Sequence, residues 1–148
     1  MPDRCAVRLV AETRLRGPAG PQQARTYWPL TAMTAPMLVF LPAEGIERAD
    51  PLCRDLCACA GVVVLSASYR RPLWPDGCSD ATFATEWAAD HARELGADPD
   101  RLLVAGDGSG ARLAAAVASR ARERGWPPVF HLSVDDLRDR THLRWEAQ

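Results

Sequence analysis

The sequence predicts an α/β fold: a mostly parallel sheet with flanking helices and an N-terminal antiparallel hairpin. Two observations predict this. Near-continuous apolar runs of strand length, at residues 37–41, 62–67 and 101–105, read as strands covered on both faces. Helical stretches alternate with these runs, which is the order of a strand–helix–strand sheet. The 148 residues are 47% hydrophobic, enough to bury one core, and residues 1–148 read as a single domain.

The elements follow in order. Residues 6–16 alternate apolar and polar, the period of a half-buried strand. Gly17-Pro18-Ala19-Gly20-Pro21 is a turn signal, and 25–30 reads as a second short strand that closes the hairpin. The run 37–41 lies between Pro36 and Pro42. Residues 50–60 place Leu52, Leu56 and Ala60 on one helical face. The run 62–67 is a buried strand, followed by a proline-rich loop at 70–77. A helix runs from 79 or 80 to about 95. Asp80 stands near its start, where a carboxylate helps satisfy free N–H groups, and Gly96 ends it. The strand 101–105 leads into Gly106-Asp107-Gly108-Ser109-Gly110. Residues 111–124 form a helix with an Ala and Leu face, stopped by Gly125 and Pro127. Residues 129–134 are a last strand. The polar residues 135–148 form a short helix or a frayed tail.

Charge and composition exclude several classes. Eighteen Lys and Arg against nineteen Asp and Glu leave a net charge of −1. That balance argues against general nucleic-acid binding, which draws on excess positive charge. Arg112, Arg120, Arg122 and Arg124 read as a solvated face, because Glu123 interrupts them and no aromatic stacking set accompanies them. No apolar run approaches the ~20 residues that span a bilayer, and the N-terminus carries no signal pattern. The expected location is the cytoplasm, with no membrane partner. The five cysteines are odd in number and, without a secretion signal, predict no disulfide framework. Cys53, Cys57 and Cys59 lack zinc spacing and a nearby His, and read as small buried hydrophobes. No metal and no cofactor is expected.

One set of residues carries a resemblance. Tyr69-Arg70, Pro75, Asp80, Trp87, Asp98-Pro99-Asp100-Arg101 and Gly106-Asp107-x-x-Gly110 fall in one order and spacing. They resemble the hormone-sensitive-lipase-like branch of the α/β-hydrolase esterases over about residues 5–130. In that family a strand ends in His-Gly-Gly-Gly and a later one in Gly-Asp-Ser-Ala-Gly, the nucleophile elbow. The resemblance implies a carboxylic-ester hydrolase fold and a small acyl ester as ligand.

The catalytic set departs from the family. A serine esterase needs a hydroxyl on a sharp strand-to-helix turn, a base, an acid to orient it, and oxyanion donors. By the resemblance, the elbow serine falls on Gly108, and Ser109 follows where the family has Ala. The oxyanion loop falls on Pro42-Ala43-Glu44-Gly45. At Ala43 and Glu44 a Cβ resists positive φ, and Glu44 brings negative charge toward an anion site. The family's Asp and His lie on strands after the sixth, and this sequence ends shortly after that strand. His91 reads as a helix-surface residue and His131 as packed within the last strand. His142, near Asp135, Asp136 and Asp139, supplies a base only if the tail folds back. Ser109 is then either a nucleophile shifted by one residue or a helix cap near Gly110.

A rival motif overlaps the elbow. Gly106, Gly108 and Ala111 spell G-x-G-x-x-A between a strand and a helix, with Asp135 or Asp136 after the next strand. That is the layout of a dinucleotide-binding unit, although Asp107 would stand beside the phosphates. Three readings therefore stand: an esterase-like protein with a degenerate site and little or no hydrolysis, an active ester hydrolase using Ser109, and a dinucleotide module. A sheet ending at strand six leaves an open edge, which predicts a homo-oligomer or a partner docked there.

Overall fold

The computed structural model describes residues 6–30 and 34–133. Six strands form one mixed sheet in the order β1-β2-β4-β3-β5-β6. The elements are β1 (Val7–Gly17), β2 (Gly20–Pro29), β3 (Ala35–Leu41), α1 (Asp50–Ala60), β4 (Val63–Ala67), α2 (Cys78–His91), β5 (Ala97–Gly106), α3 (Ser109–Glu123) and β6 (Val129–His131). The hairpin β1–β2 and the β2–β4 pair are antiparallel, while β3, β4, β5 and β6 run parallel. The predicted class holds.

Two hydrophobic clusters flank the sheet because side chains alternate along each strand. Met37, Val39 and Leu41 of β3 join Leu65, Val104, Leu113 and Val117 on the face covered by α2 and α3. Leu38 and Phe40 join Tyr27, Val64, Leu103, Cys53 and Leu56 on the face covered by α1. Every residue of β3 is buried, which is why it reads as an uninterrupted apolar run.

Several boundaries differ from the sequence-based expectation: β3 begins at Ala35, α3 at Ser109, and β6 ends at His131, and three more differ as follows. β2 begins at Gly20 rather than 25, because the hairpin pairs from Gly17↔Gly20 onward and buries Gln22 on its inner face. A polar residue in an inward position hides that strand from a hydrophobicity pattern. β5 begins at Ala97 rather than 101, because Ala35↔Ala97 and Pro36↔Asp98 pair ahead of an irregularity before Met37↔Leu102. The Asp98 carboxylate accepts from the Asp100 N–H and from Arg101 Nε within that irregular segment. α2 starts at Cys78 and ends at His91, with turns continuing to Gly96.

Asp80 does not cap its helix. Its carboxylate is buried and accepts from Arg70 N (2.9 Å), Arg70 Nε (2.9 Å) and Arg70 Nη2 (3.0 Å), pinning the loop after β4 onto α2. The cysteine expectation also needs correction. Cys53, Cys57 and Cys78 are free and buried, but Cys59 is disulfide-bonded. Oddness of the cysteine count never excluded a single bridge. Among the described residues, no helix is long and apolar enough to cross a membrane.

Sheet topology positions the site. From the central β3 the chain moves to β4 on one side through α1, then returns across β3 to β5 through α2 on the other face. Chain order reverses beside β3, and in such sheets ligands bind outside the carboxyl ends of the strands at that point. The register Leu41↔Gly106 brings the ends of β3 and β5 level, so the loop 42–45 and the turn 106–110 emerge side by side.

Candidate functional site

The turn from β5 into α3 is tight because it is built from glycine. A Cβ on Gly106 would lie 2.7 Å from the Leu41 carbonyl oxygen and overlap Gly110. A Cβ on Gly110 would overlap that same Leu41 oxygen. Both glycines are therefore used in seating α3 against the end of β3. Gly108 stands exposed at the apex with φ 51° and ψ −123°, a conformation strained for any residue with a side chain. Its added Cβ would touch Ala43 Cβ at 3.0 Å. The apex of this strand-to-helix turn, facing the neighbouring loop, thus carries no side chain.

Ser109 is the first residue of α3, and its hydroxyl caps nothing. Ser109 Oγ lies 2.9 Å from Tyr69 Oη and accepts a long contact from Arg71 Nη2 at 3.4 Å. The cap reading is therefore corrected: the hydroxyl is turned toward the loop after β4. Burial holds the Tyr69 phenol above its ordinary range, against the opposing effects of Ser109 and Arg71. Tyr69 keeps its proton at neutral pH and is no ready base for Ser109.

The loop 42–45 also differs from expectation. Asp107 Oδ1 accepts from the Ala43 N–H at 2.7 Å, so a carboxylate already occupies one of the loop's donors. Glu44 is exposed and pairs with Arg48 at 3.4 Å, rather than pointing toward the elbow. Of the loop's residues only Gly45 takes a positive φ, 97°, so Ala43 and Glu44 are unstrained.

The remaining predicted residues scatter. His91 lies at the end of α2, its ring stacked 4.2 Å from Trp87 and its Nδ1 2.8 Å from the Trp87 carbonyl oxygen. That is the end of the sheet where β5 begins, and the ten residues of β5 set it roughly 20–30 Å from the elbow. His131 is exposed on β6, not packed, because β6 is the sheet's last strand in the described residues. Asp135, Asp136, Asp139 and His142 lie outside the described residues. Of the dinucleotide fingerprint, Gly106 packs against the chain itself, which removes one open approach to the turn.

Sequence reasoning used Tyr69 only as a motif residue and overlooked Arg71 and the Asp107–Ala43 bond. A neighbouring cluster on the α1 face was also missed. Tyr27 Oη donates to Asp50 Oδ1 at 2.7 Å, and Arg25 bridges Asp50 and Glu12. Burial pushes the Asp50 carboxyl up, but the hydrogen bonds from Tyr27, Arg54 and Arg25 outweigh it and hold it below its ordinary value. Burial pushes the Cys53 thiol beside this cluster up to about 12, and that of Cys57 likewise.

A strand–elbow–helix turn beside a loop from the adjacent parallel strand defines the α/β-hydrolase class. The comparisons agree: a family described as alpha/beta hydrolase fold matches residues 40–142, and the chain belongs to it, in its hormone-sensitive-lipase-like branch. Among its relatives is the esterase LipI of Mycobacterium tuberculosis, 37% identical over 131 residues, covering 81% of this chain and 41% of the relative. The ethyl acetate hydrolase of Pseudomonas putida is 35% identical over 97 residues, covering 60% of this chain and 30% of that protein. Among solved structures, a hyperthermophilic esterase from the archaeon Pyrobaculum calidifontis superposes with TM-score 0.76 at 35% identity, covering 81% of this chain and 42% of that one. Esterase LipW of Mycobacterium marinum gives TM-score 0.77 at 33% identity, with 86% and 43% coverage. The chain spans about two-fifths of the length of these two structures and of LipI.

Proposed function

We propose that this chain is an esterase-like α/β-hydrolase protein with little or no ester hydrolysis. One observation carries the reading: the elbow apex is Gly108, without a side chain, while the nearest hydroxyl, Ser109, bonds Tyr69 instead. Nucleophilic catalysis needs a hydroxyl activated by an adjacent base. The neighbour that Ser109 has is a phenol that burial keeps protonated. The Asp107 carboxylate on the Ala43 N–H adds to this, because an oxyanion would have to displace it. The competing reading, ester hydrolysis through Ser109, draws on the names of the relatives, which are esterases.

The test is hydrolysis of p-nitrophenyl butyrate by the purified full chain, with Ser109→Ala run beside it. The reading expects no turnover above background, or a trace equal in both proteins. Turnover that disappears in the variant would overturn it.

A further inference from the structure

We propose that the cleft at the end of the sheet opposite the elbow binds a small quaternary ammonium ion. The cavity holds about 300 Å³, the lower end of the range for small-molecule sites. Trp126, Pro99 and Pro127 supply apolar walls, and Glu86, Asp90 and Asp100 supply carboxylates. The cleft lies between the second half of α2, the start of β5 and the end of α3. It shares no residue with the elbow or the loop 42–45, so the proposal does not rest on the preceding reading.

The aromatic wall is set by the end of α3. Gly125 takes φ 69°, its N–H donates to the Arg122 carbonyl oxygen at 3.2 Å, and the Trp126 N–H donates to that of Ala121 at 2.9 Å, which is a Schellman turn. The turn folds Trp126 back, partly buried, against the apolar cluster under α2 and α3. An indole face attracts cations, and Arg124 Cζ already lies 5.8 Å from the ring centre of Trp126. Arg124 itself is exposed and does not line the cavity.

The charge in the cleft has no internal counterpart. Glu44, Asp50 and Asp98 each meet an arginine three or four residues on, at Arg48, Arg54 and Arg101. Glu86 instead has Asp90 four residues on, a like-charge spacing that weakens a helix. Among the described residues, none of the Glu86, Asp90 and Asp100 carboxylates forms an ion pair. A local cost without an internal gain is the mark of a functional site, and a bound cation supplies the gain.

The geometry also selects the kind of cation. A calcium or magnesium ion needs several oxygens converging at roughly 2.0–2.6 Å. Among the described residues, no three His, Cys, Asp or Glu side chains converge in that way. A primary ammonium brings three N–H donors, and the side chains of Trp126, Pro99 and Pro127 accept none of them. A quaternary ammonium spreads its charge over methyl groups and needs no hydrogen bond. It gains from the indole face and from the field of carboxylates that do not touch it.

The probe is benzyltrimethylammonium chloride, titrated into the full chain at constant low ionic strength and followed by calorimetry. Benzylamine, benzyl alcohol and magnesium chloride are run as separate arms. The quaternary ion should bind saturably and more tightly than the other three. Trp126→Leu should weaken it about tenfold, and Trp126→Phe, which keeps a smaller ring, should fall between that variant and wild type. Asp90→Asn should weaken it about threefold. Asp90 is exposed, so this variant keeps the test decisive if Trp126→Leu does not fold. Glu47→Gln removes the same charge from an exposed position outside the cleft and should change nothing, and melting curves establish that each variant is folded. No saturable binding of the quaternary ion, binding indifferent to Asp90→Asn or to a folded Trp126→Leu, or any other arm binding as tightly would each overturn the proposal.

Discussion

Gly110→Ala tests whether the glycine-built elbow is a structural joint. The added methyl group would lie 2.7 Å from the Leu41 carbonyl carbon and 3.3 Å from Leu41 Cβ, and would overlap the Leu41 oxygen. Ordinary carbon contacts sit near 3.5–4.0 Å. The obstacle is the backbone of the fully buried central strand, so neither side chain rotation nor a local shift relieves it. An extra methylene in a tight core costs about 1–3 kcal/mol when side chains can adjust. Against a backbone we expect the upper end, about 3 kcal/mol, a large fraction of the 5–15 kcal/mol typical of a domain. For a chain of this size that is a fall in Tm of roughly 6–12 °C. Thermal unfolding followed by circular dichroism reads it directly. Gly106→Ala is predicted to be comparably harmful. The double variant should lose less than the sum, because both methyl groups push α3 and β3 apart along the same contact. A Gly110→Ala melt within about 2 °C of wild type would refute the close-packed elbow.

Other outcomes are expected. Asp80→Ala removes the acceptor of three Arg70 hydrogen bonds. Because Arg70 is 40% exposed and can rehydrate, the cost should be about 2 kcal/mol, below that of a fully buried pair, read as a lower urea midpoint. Asp50, whose carboxyl is held below its ordinary 3.8, stabilises the fold above that pH, and the contribution is lost as pH falls through the lower folded value. Acid unfolding of Asp50→Asn should therefore begin from lower stability at neutral pH and decline less steeply below about pH 4 than wild type. Cys53, Cys57 and Cys78 should resist iodoacetamide at pH 8 in the native protein and react on unfolding, since all three are buried and the thiols of Cys53 and Cys57 are pushed up to about 12. Mass spectrometry that finds any of them alkylated in the folded chain would contradict this.

Much of the fold was legible because buried parallel strands and amphipathic helices write their environment into hydrophobic order. β3 and β4 read as uninterrupted apolar runs because both of their faces are covered. α1 was read over the same residues that fold, Asp50–Ala60, with Leu56 and Ala60 on the predicted inner face. Pattern failed where burial does not follow polarity. Gln22 is buried inside β2 because its amide reaches the carbonyls of Ser68 and Asp80. His131 is exposed in an apolar strand because that strand is the outermost of the sheet among the described residues.

The site divides along the same line. That Gly106, Gly108 and Gly110 punctuate the turn after β5 is a fact of residue identity and spacing, and the resemblance to the esterases is what sets Gly108 against their serine. What those residues touch depends on separations of 38 to 64 positions closed by the sheet. Asp107 meets the Ala43 N–H, and Ser109 meets Tyr69 and Arg71, because parallel pairing at Leu41↔Gly106 makes neighbours of loops distant in sequence. Hydrogen bonds are decided by distances of a few tenths of an ångström and by the direction of each donor. No one-dimensional pattern carries those quantities, so the partners of Ser109 and the turning of Glu44 toward Arg48 came only from the folded chain.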